Sequence, residues 1–187
     1  MLADWLSDAA GTVRVALDGP PCAQPELLAD ALAARVQALG RPFAHVRAET
    51  FWRDASLRLE YGHEDVESYR SWLDAGALDR EVLSTPGSYL PSLRDPMSNR
   101  ATRAERVELP AGAVLVVSGA LLLGAGLPFD RTVHLQVSAA ARKRRTPATD
   151  AWTLPAFDRY DAEVGPVARA DLVIKCDDPA HPALLAG

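Results

Sequence analysis

The sequence predicts an α/β protein: three layers, α/β/α, around a mostly parallel sheet of five strands. Three observations carry this. Five short apolar runs occur at 12–17 (TVRVAL), 43–48 (FAHVRA), 113–117 (AVLVV), 132–137 (TVHLQV) and 171–175 (DLVIK). Several are apolar on successive positions, the pattern of strands covered by helices on both faces. The first two runs flank a segment in which Leu28, Leu32, Val36 and Leu39 recur at helical spacing. Strand, helix and strand within about 35 residues make a βαβ unit, which requires parallel pairing through a right-handed crossover.

In chain order, the first helix has Pro25 suited to its opening turn and Gly40 suited to the position just past its end. Residues 64–83 read as helical, with an interruption at Gly76. Residues 86–110 are rich in turn formers and charge and read as a hairpin over the sheet edge. Residues 138–145 and 155–164 read as two helices joined around Pro147. No repeat or low-complexity segment divides the chain, so residues 1–187 are expected to form one domain, with a lid at about 138–165. Ligands of doubly wound sheets bind at the carboxyl ends of the strands. The candidate site is therefore the set of segments 18–26, 49–53, 118–124 and 138–145.

Composition narrows the function. A chain of 187 residues, 48% hydrophobic and 24% charged, suits a single globular domain with a sizeable core. A net charge of −5 argues against general nucleic-acid binding. Cys22 and Cys176 fall in no ligand spacing and fit two unpaired thiols in a reducing compartment. His45, His63, His134 and His181 do not cluster, so no metal site is expected. The first residues lack the basic stretch of a signal peptide. The apolar run 113–127 is too short to span a bilayer and is broken by Ser118 and three glycines. A cytoplasmic protein without a membrane partner is the expectation.

The first strand runs into LDGPPCAQPELLADAL, residues 17–32. A phosphate-binding loop there would read G-x-x-x-x-G-K-[ST]. Gly19 holds the first glycine position, but Gln24 stands for the second, Pro25 for the lysine and Glu26 for the Ser/Thr. Such a loop grips phosphate through backbone N–H groups and the positive end of a helix. Pro20, Pro21 and Pro25 have no N–H to give. The lysine charge and the magnesium-binding hydroxyl are absent, and the Glu26 carboxylate, favourable to the helix dipole, repels a triphosphate. Taken alone, the segment reads equally well as an ordinary loop.

The segments that follow resemble, in order and over nearly the whole chain, the uridine kinase family of P-loop NTPases. RAETFWR (47–53) is similar to the family's Asp-Ser-Phe-Tyr type motif, with Glu49 on the aspartate that activates the sugar hydroxyl, Thr50 on the serine, Phe51 on the phenylalanine and Trp52 on the tyrosine. YGHEDVESYRSWLDAGAL (61–78) resembles the segment that helps form the nucleoside pocket. SLRDPMSNR (92–100) is similar to a Tyr-Asp…His-Ser-Arg stretch, with Asp95 on the aspartate and Arg100 on the arginine. VLVVSGALLL (114–123) resembles the Walker B strand, with Ser118 where the family has an acid. SAAARKRRTPATD (138–150) resembles the lid helix, and RADLVIKCDDP (169–179) the closing strand. The Ala/Arg/Pro-rich flavour fits a shorter, actinobacterial branch.

The resemblance implies a kinase fold with degenerate Walker A and Walker B motifs. The lost lysine, Ser/Thr and acid all serve phosphoryl transfer, which depends on positioning and charge neutralisation. The leading expectation is a pseudoenzyme without ordinary MgATP-dependent transfer that keeps a pocket for a nucleoside or similar small molecule. Glu49 is its candidate general base. Phe51, Trp52, Arg53, Tyr61, His63, Asp95 and Arg100 are candidates for the substrate pocket, and Arg142, Arg144 and Arg145 for a lid that closes on phosphates. Each also has a plain structural reading: strand-end carboxylate, core aromatic, solvated basic face. The alternatives are an active nucleoside or small-molecule kinase that uses MgATP through a rebuilt phosphate site, and an oligomerisation module with no ligand.

Overall fold

All five apolar runs are strands in the computed structural model, which describes residues 2–185. In chain order the strands are β1 (Val13–Asp18), β2 (Phe43–Arg47), β3 (Ser88–Tyr89), β4 (Val107–Glu108), β5 (Val114–Gly119), β6 (Arg131–Gln136), β7 (Leu172–Lys175) and β8 (Ala183–Leu185). The main sheet has the order β2-β5-β1-β6-β7-β8, parallel throughout except for β8, which runs antiparallel to β7. It therefore has six strands, not five. The extra strand is three exposed residues following Pro182, too short to show a period.

The two faces of the sheet bury different layers. Val13, Val15 and Leu17 of β1 and Val114 and Val116 of β5 pack with Ala29, Leu32 and Val36 of α2 (Pro25–Ala38). Ala16, Val46, Leu115 and Val117 face the other way, onto Phe51, Leu78, Val82, Leu122 and Tyr160. All six positions of β5 are buried, which explains why that run alternates least. The α2 helix opens with Pro25 and ends before Gly40, which takes a φ of 79°. A short α1 (Leu2–Ser7), not anticipated from the sequence, closes the same face with Leu6. The Arg41 guanidinium satisfies its end by donating to the carbonyls of Leu6 (3.3 Å), Ser7 (3.0 Å) and Ala9 (2.7 Å).

The middle third departs from the expected long helix. Three single turns, α3 (Ala55–Arg58), α4 (Val66–Tyr69) and α5 (Ala75–Leu78), are followed by a π turn at Asp79–Leu83. Each helical turn is started by an aspartate that accepts a backbone N–H: Asp54 from Ser56 (2.9 Å), Asp65 from Ser68 (2.6 Å) and Asp74 from Ala77 (2.8 Å). The break thus lies at residues 70–74, and Gly76 sits inside α5. In 86–110 the expected hairpin is a two-residue ladder between β3 and β4. The lid region holds α6 (Ala139–Arg145), a 3₁₀ stretch at Ala148–Thr153, α7 (Leu154–Glu163) and α8 (Pro166–Arg169). Among the described residues no helix is long and apolar enough to cross a membrane.

Candidate functional site

Parallel register sets Leu17 beside Ser118 and Asp18 beside Gly119, so the loop after β1 and the end of β5 meet. The Gly19 N–H donates to the Gly119 carbonyl (3.0 Å). A Cβ at Gly19 would lie 2.9 Å from that of Leu135, so only glycine lets the chain pass here. Pro21–Ala23 then form a 3₁₀ turn in which the Ala23 N–H donates to the Pro20 carbonyl (2.7 Å) and the Gln24 N–H to the Pro21 carbonyl (3.0 Å). Gln24 takes a left-handed conformation (φ 55°) and Pro25 starts α2. The loop therefore turns donors onto its own carbonyls, and three prolines supply none. These residues do not fit a nucleotide's phosphates or the magnesium that accompanies them.

Ser118, at the Walker B position, is buried. Its Oγ lies 2.8 Å from His45 Nε2, and His45 Nδ1 lies 2.9 Å from Asp30 Oδ1. Burial lowers the His45 pKa, against the pull of Asp30. The order hydroxyl, imidazole, carboxylate matches a nucleophilic relay, but Ser118 lines none of the cavities at the strand ends. The chain of bonds ties β5 to β2 and α2. Among the described residues no three His, Cys, Asp or Glu side chains converge as metal ligands would.

The acceptor side is open. A 3₁₀ turn, Ala48–Phe51, carries Glu49 against the end of β5; a Cβ on Gly119 would fall 2.6 Å from that of Ala48. Glu49, Glu26, Pro25, Trp52, Tyr69 and Trp72 line a cavity of about 230 Å³. It adjoins a larger one of about 670 Å³, walled by Trp52, His63, Tyr69, Trp72 and Trp152 and roofed by the segment from Arg145 to Asp150. The rings interlock edge to face, with Trp52–Trp72, Tyr69–Trp72 and Tyr69–Trp152 centroids 5.2, 5.0 and 5.4 Å apart. Burial pushes the Glu49 carboxyl above its ordinary pKa and Glu26 adds to this, opposed by a backbone N–H and Arg47. Two carboxylates thus face the cavity next to Gly19.

Several expected pocket residues lie elsewhere. Phe51 is fully buried in the core, because the turn that presents Trp52 to the cavity points Phe51 inward. Tyr61 is 75% exposed, on a turn that lines none of these cavities. Arg53 is exposed and holds its place through its N–H, which donates to the Trp72 carbonyl (2.7 Å). Asp95 and Arg100 are joined through backbone (Asp95 N–H to Arg100 carbonyl, 2.9 Å), and the Asp95 carboxylate accepts the Ser98 N–H, so neither reaches the aromatic cavity. In the lid, Arg142 is buried and bonded to Asp158 (2.7 Å) and Asp161 (3.0 Å). Arg145 donates to the carbonyls of Cys22 and Cys176. Arg144 alone of the three is exposed, with one contact to the Ala140 carbonyl at 3.4 Å.

One cluster escaped the sequence reading. Asp18, 0% exposed, accepts the Leu122 N–H at Oδ1 (2.9 Å), and its Oδ2 meets His134 Nδ1 (2.7 Å) and the Tyr160 hydroxyl (3.1 Å). Register explains the pairing, since Asp18 and His134 are partners across β1 and β6 and share a face. The available signal was an acid closing a strand, VRVALD, whose other buried positions are all apolar.

No family model matches the sequence, and no curated protein matches it either. Solved structures do. The chain is similar to a possible uridine kinase from Bacillus stearothermophilus, with a TM-score of 0.73 and 19% identity over 91% of this chain and 96% of that one. It is also similar to a candidate fructose transport system kinase from Silicibacter sp. TM1040, with a TM-score of 0.54 and 21% identity over 91% and 95%. The chain therefore has the α/β fold of uridine kinase-like P-loop kinases, with a mostly parallel central sheet.

Proposed function

We propose that this is a uridine kinase-like protein that has lost ordinary MgATP-dependent phosphoryl transfer and binds a nucleoside or similar uncharged small molecule on the acceptor side. Its role is then binding and regulation, or partnership with an active paralogue. The observation that carries the proposal is the pairing of Glu26 and Glu49 on the cavity beside Gly19. Negative side chains stand where a kinase gathers positive charge, the Gly19, Ala23 and Gln24 N–H groups are bonded to carbonyls, and Pro20, Pro21 and Pro25 have none. The aromatic walls suit a stacked heterocycle. The rival, in which lid arginines replace the lost lysine, finds Arg142 and Arg145 already committed to protein acceptors.

Thermal shift with MgATP and with a nucleoside panel tests this, since a ligand stabilises only the state it binds. A nucleoside that raises Tm, with the rise removed by Trp52→Ala and no rise from MgATP, is the expected result. A MgATP shift that disappears in Arg144→Ala supports the active kinase instead, and no shift from any ligand supports the oligomerisation module.

A further inference from the structure

On the other side of the loop after β1 lies a separate cavity of about 290 Å³, between the carboxyl ends of β1 and β6 and helices α6, α7 and α8. Asp18, His134, Tyr160 and Arg142, all buried, line it together with apolar surface from Leu121 and Val167.

Donor counting fixes the protons. The Asp18 carboxylate has only acceptors. The Tyr160 oxygen already accepts the Leu123 N–H (2.9 Å), so its own proton goes to Asp18 Oδ2. A neutral His134 carries its proton on Nδ1, facing the same oxygen, which leaves Nε2 as a lone pair. Arg142 gives Nη1 to Asp161 and Nη2 to Asp158, while its buried Nε–H has no partner. That Nε is covered, so the cavity is served instead by the lone pair of His134 Nε2 and by the polar side chains of Gln136, Ser138 and Asp161 on its wall, a lining suited to hydroxyl groups.

Charge and size narrow the ligand. Asp18, Asp158 and Asp161 set three carboxylates around one guanidinium and one imidazole, so an anion entering here meets net repulsion. The volume lies at the lower limit of small-molecule pockets and is far too small for a nucleotide. We propose that this cavity binds a neutral polyhydroxylated molecule the size of a monosaccharide. One hydroxyl donates to His134 Nε2, others meet Gln136, Ser138 and Asp161, and the apolar wall covers the C–H face of the ring.

The four histidines make imidazole nitrogen NMR a direct readout. D-ribose, D-fructose, D-glucose and myo-inositol are titrated singly at millimolar concentration, with inorganic phosphate as the anion. A saturable shift of His134 Nε2 with at least one of the four, while His63 in the aromatic cavity stays still, is the expected result. Val167→Trp, at a half-exposed position on the cavity wall, should weaken that binding by about tenfold or more without disturbing the core. The proposal is overturned if none of the four moves His134, if Val167→Trp leaves the affinity unchanged, or if phosphate binds more tightly than the sugars. Because His63 and Trp52 report separately on the aromatic cavity, failure here is distinguishable from failure of the nucleoside reading.

Discussion

Asp18 sits where β1, β6 and α7 meet, and replacing it with alanine orphans three buried donors at once: the Leu122 N–H, the Tyr160 hydroxyl and His134 Nδ1–H. Each buried group left without its partner costs about 1–3 kcal/mol. Water from the adjoining cavity can rescue one or two of them, so Asp18→Ala should lose about 3–5 kcal/mol. Asp18→Asn should lose less, about 1–2 kcal/mol. Its carbonyl still serves Leu122, and His134 can move its proton to Nε2 and accept from the new amide, which leaves mainly the Tyr160 proton displaced. Against a total stability of about 5–15 kcal/mol, the alanine variant should melt roughly 6–20 °C lower. Urea unfolding followed by circular dichroism, with an unchanged m-value, measures the loss. Asp30→Ala, whose carboxylate is half exposed beside His45, should cost less than about 1 kcal/mol and serves as the control. An Asp18→Ala variant within about 1 kcal/mol of the parent, or no more damaging than Asp30→Ala, refutes the reasoning.

Other perturbations test the site's construction. Gly119→Ala should destabilise by about 1–3 kcal/mol, since its Cβ would meet the Ala48 Cβ at 2.6 Å between two backbone segments; urea denaturation reads this directly. Glu49 is held above its ordinary pKa of 4.5, so the folded state binds this proton more tightly than the unfolded state, and stability from this group falls as pH rises through that range. Glu49→Gln should accordingly raise Tm at about pH 7.5, with the gain vanishing near pH 4, where both states are protonated. An equal gain at both pH values contradicts the raised pKa. Arg145→Gln should release the tie between the Cys22 and Cys176 carbonyls and speed labelling of both thiols by a disulfide reagent, the relief of the burial that raises their pKa values outweighing the loss of the Arg145 charge that lowers them.

The strands were legible because five short apolar runs stand out, several of them apolar on successive positions, and α2 because Pro25 and Gly40 bracket a helical period. The turns between residues 52 and 83 were not. There, Asp54, Asp65 and Asp74 each restart the chain by accepting a backbone N–H, which outweighs the helical pattern of 64–83. The site divides in the same way. Glu49 and Trp52, which follow the end of β2, line the smaller cavity, and Trp52 and His63 line the aromatic one. Phe51 does not, because adjacent residues on a 3₁₀ turn point in different directions. Tyr69 and Trp72 lie in the 61–78 segment read as pocket-forming, but Trp152 comes from a distant segment, and only the packing of α4 against α7 and the stretch before it completes the wall. Asp18 and His134 are 116 residues apart and meet only through the parallel register of β1 and β6.

On the proposed function, the loop after β1 does not accept MgATP. Trp52, Trp72 and Trp152 surround the cavity beside that loop, so their fluorescence monitors it directly during a MgATP titration. No saturable change is expected at millimolar nucleotide, with or without magnesium. A saturable, magnesium-dependent change that is abolished by Arg144→Ala would contradict it.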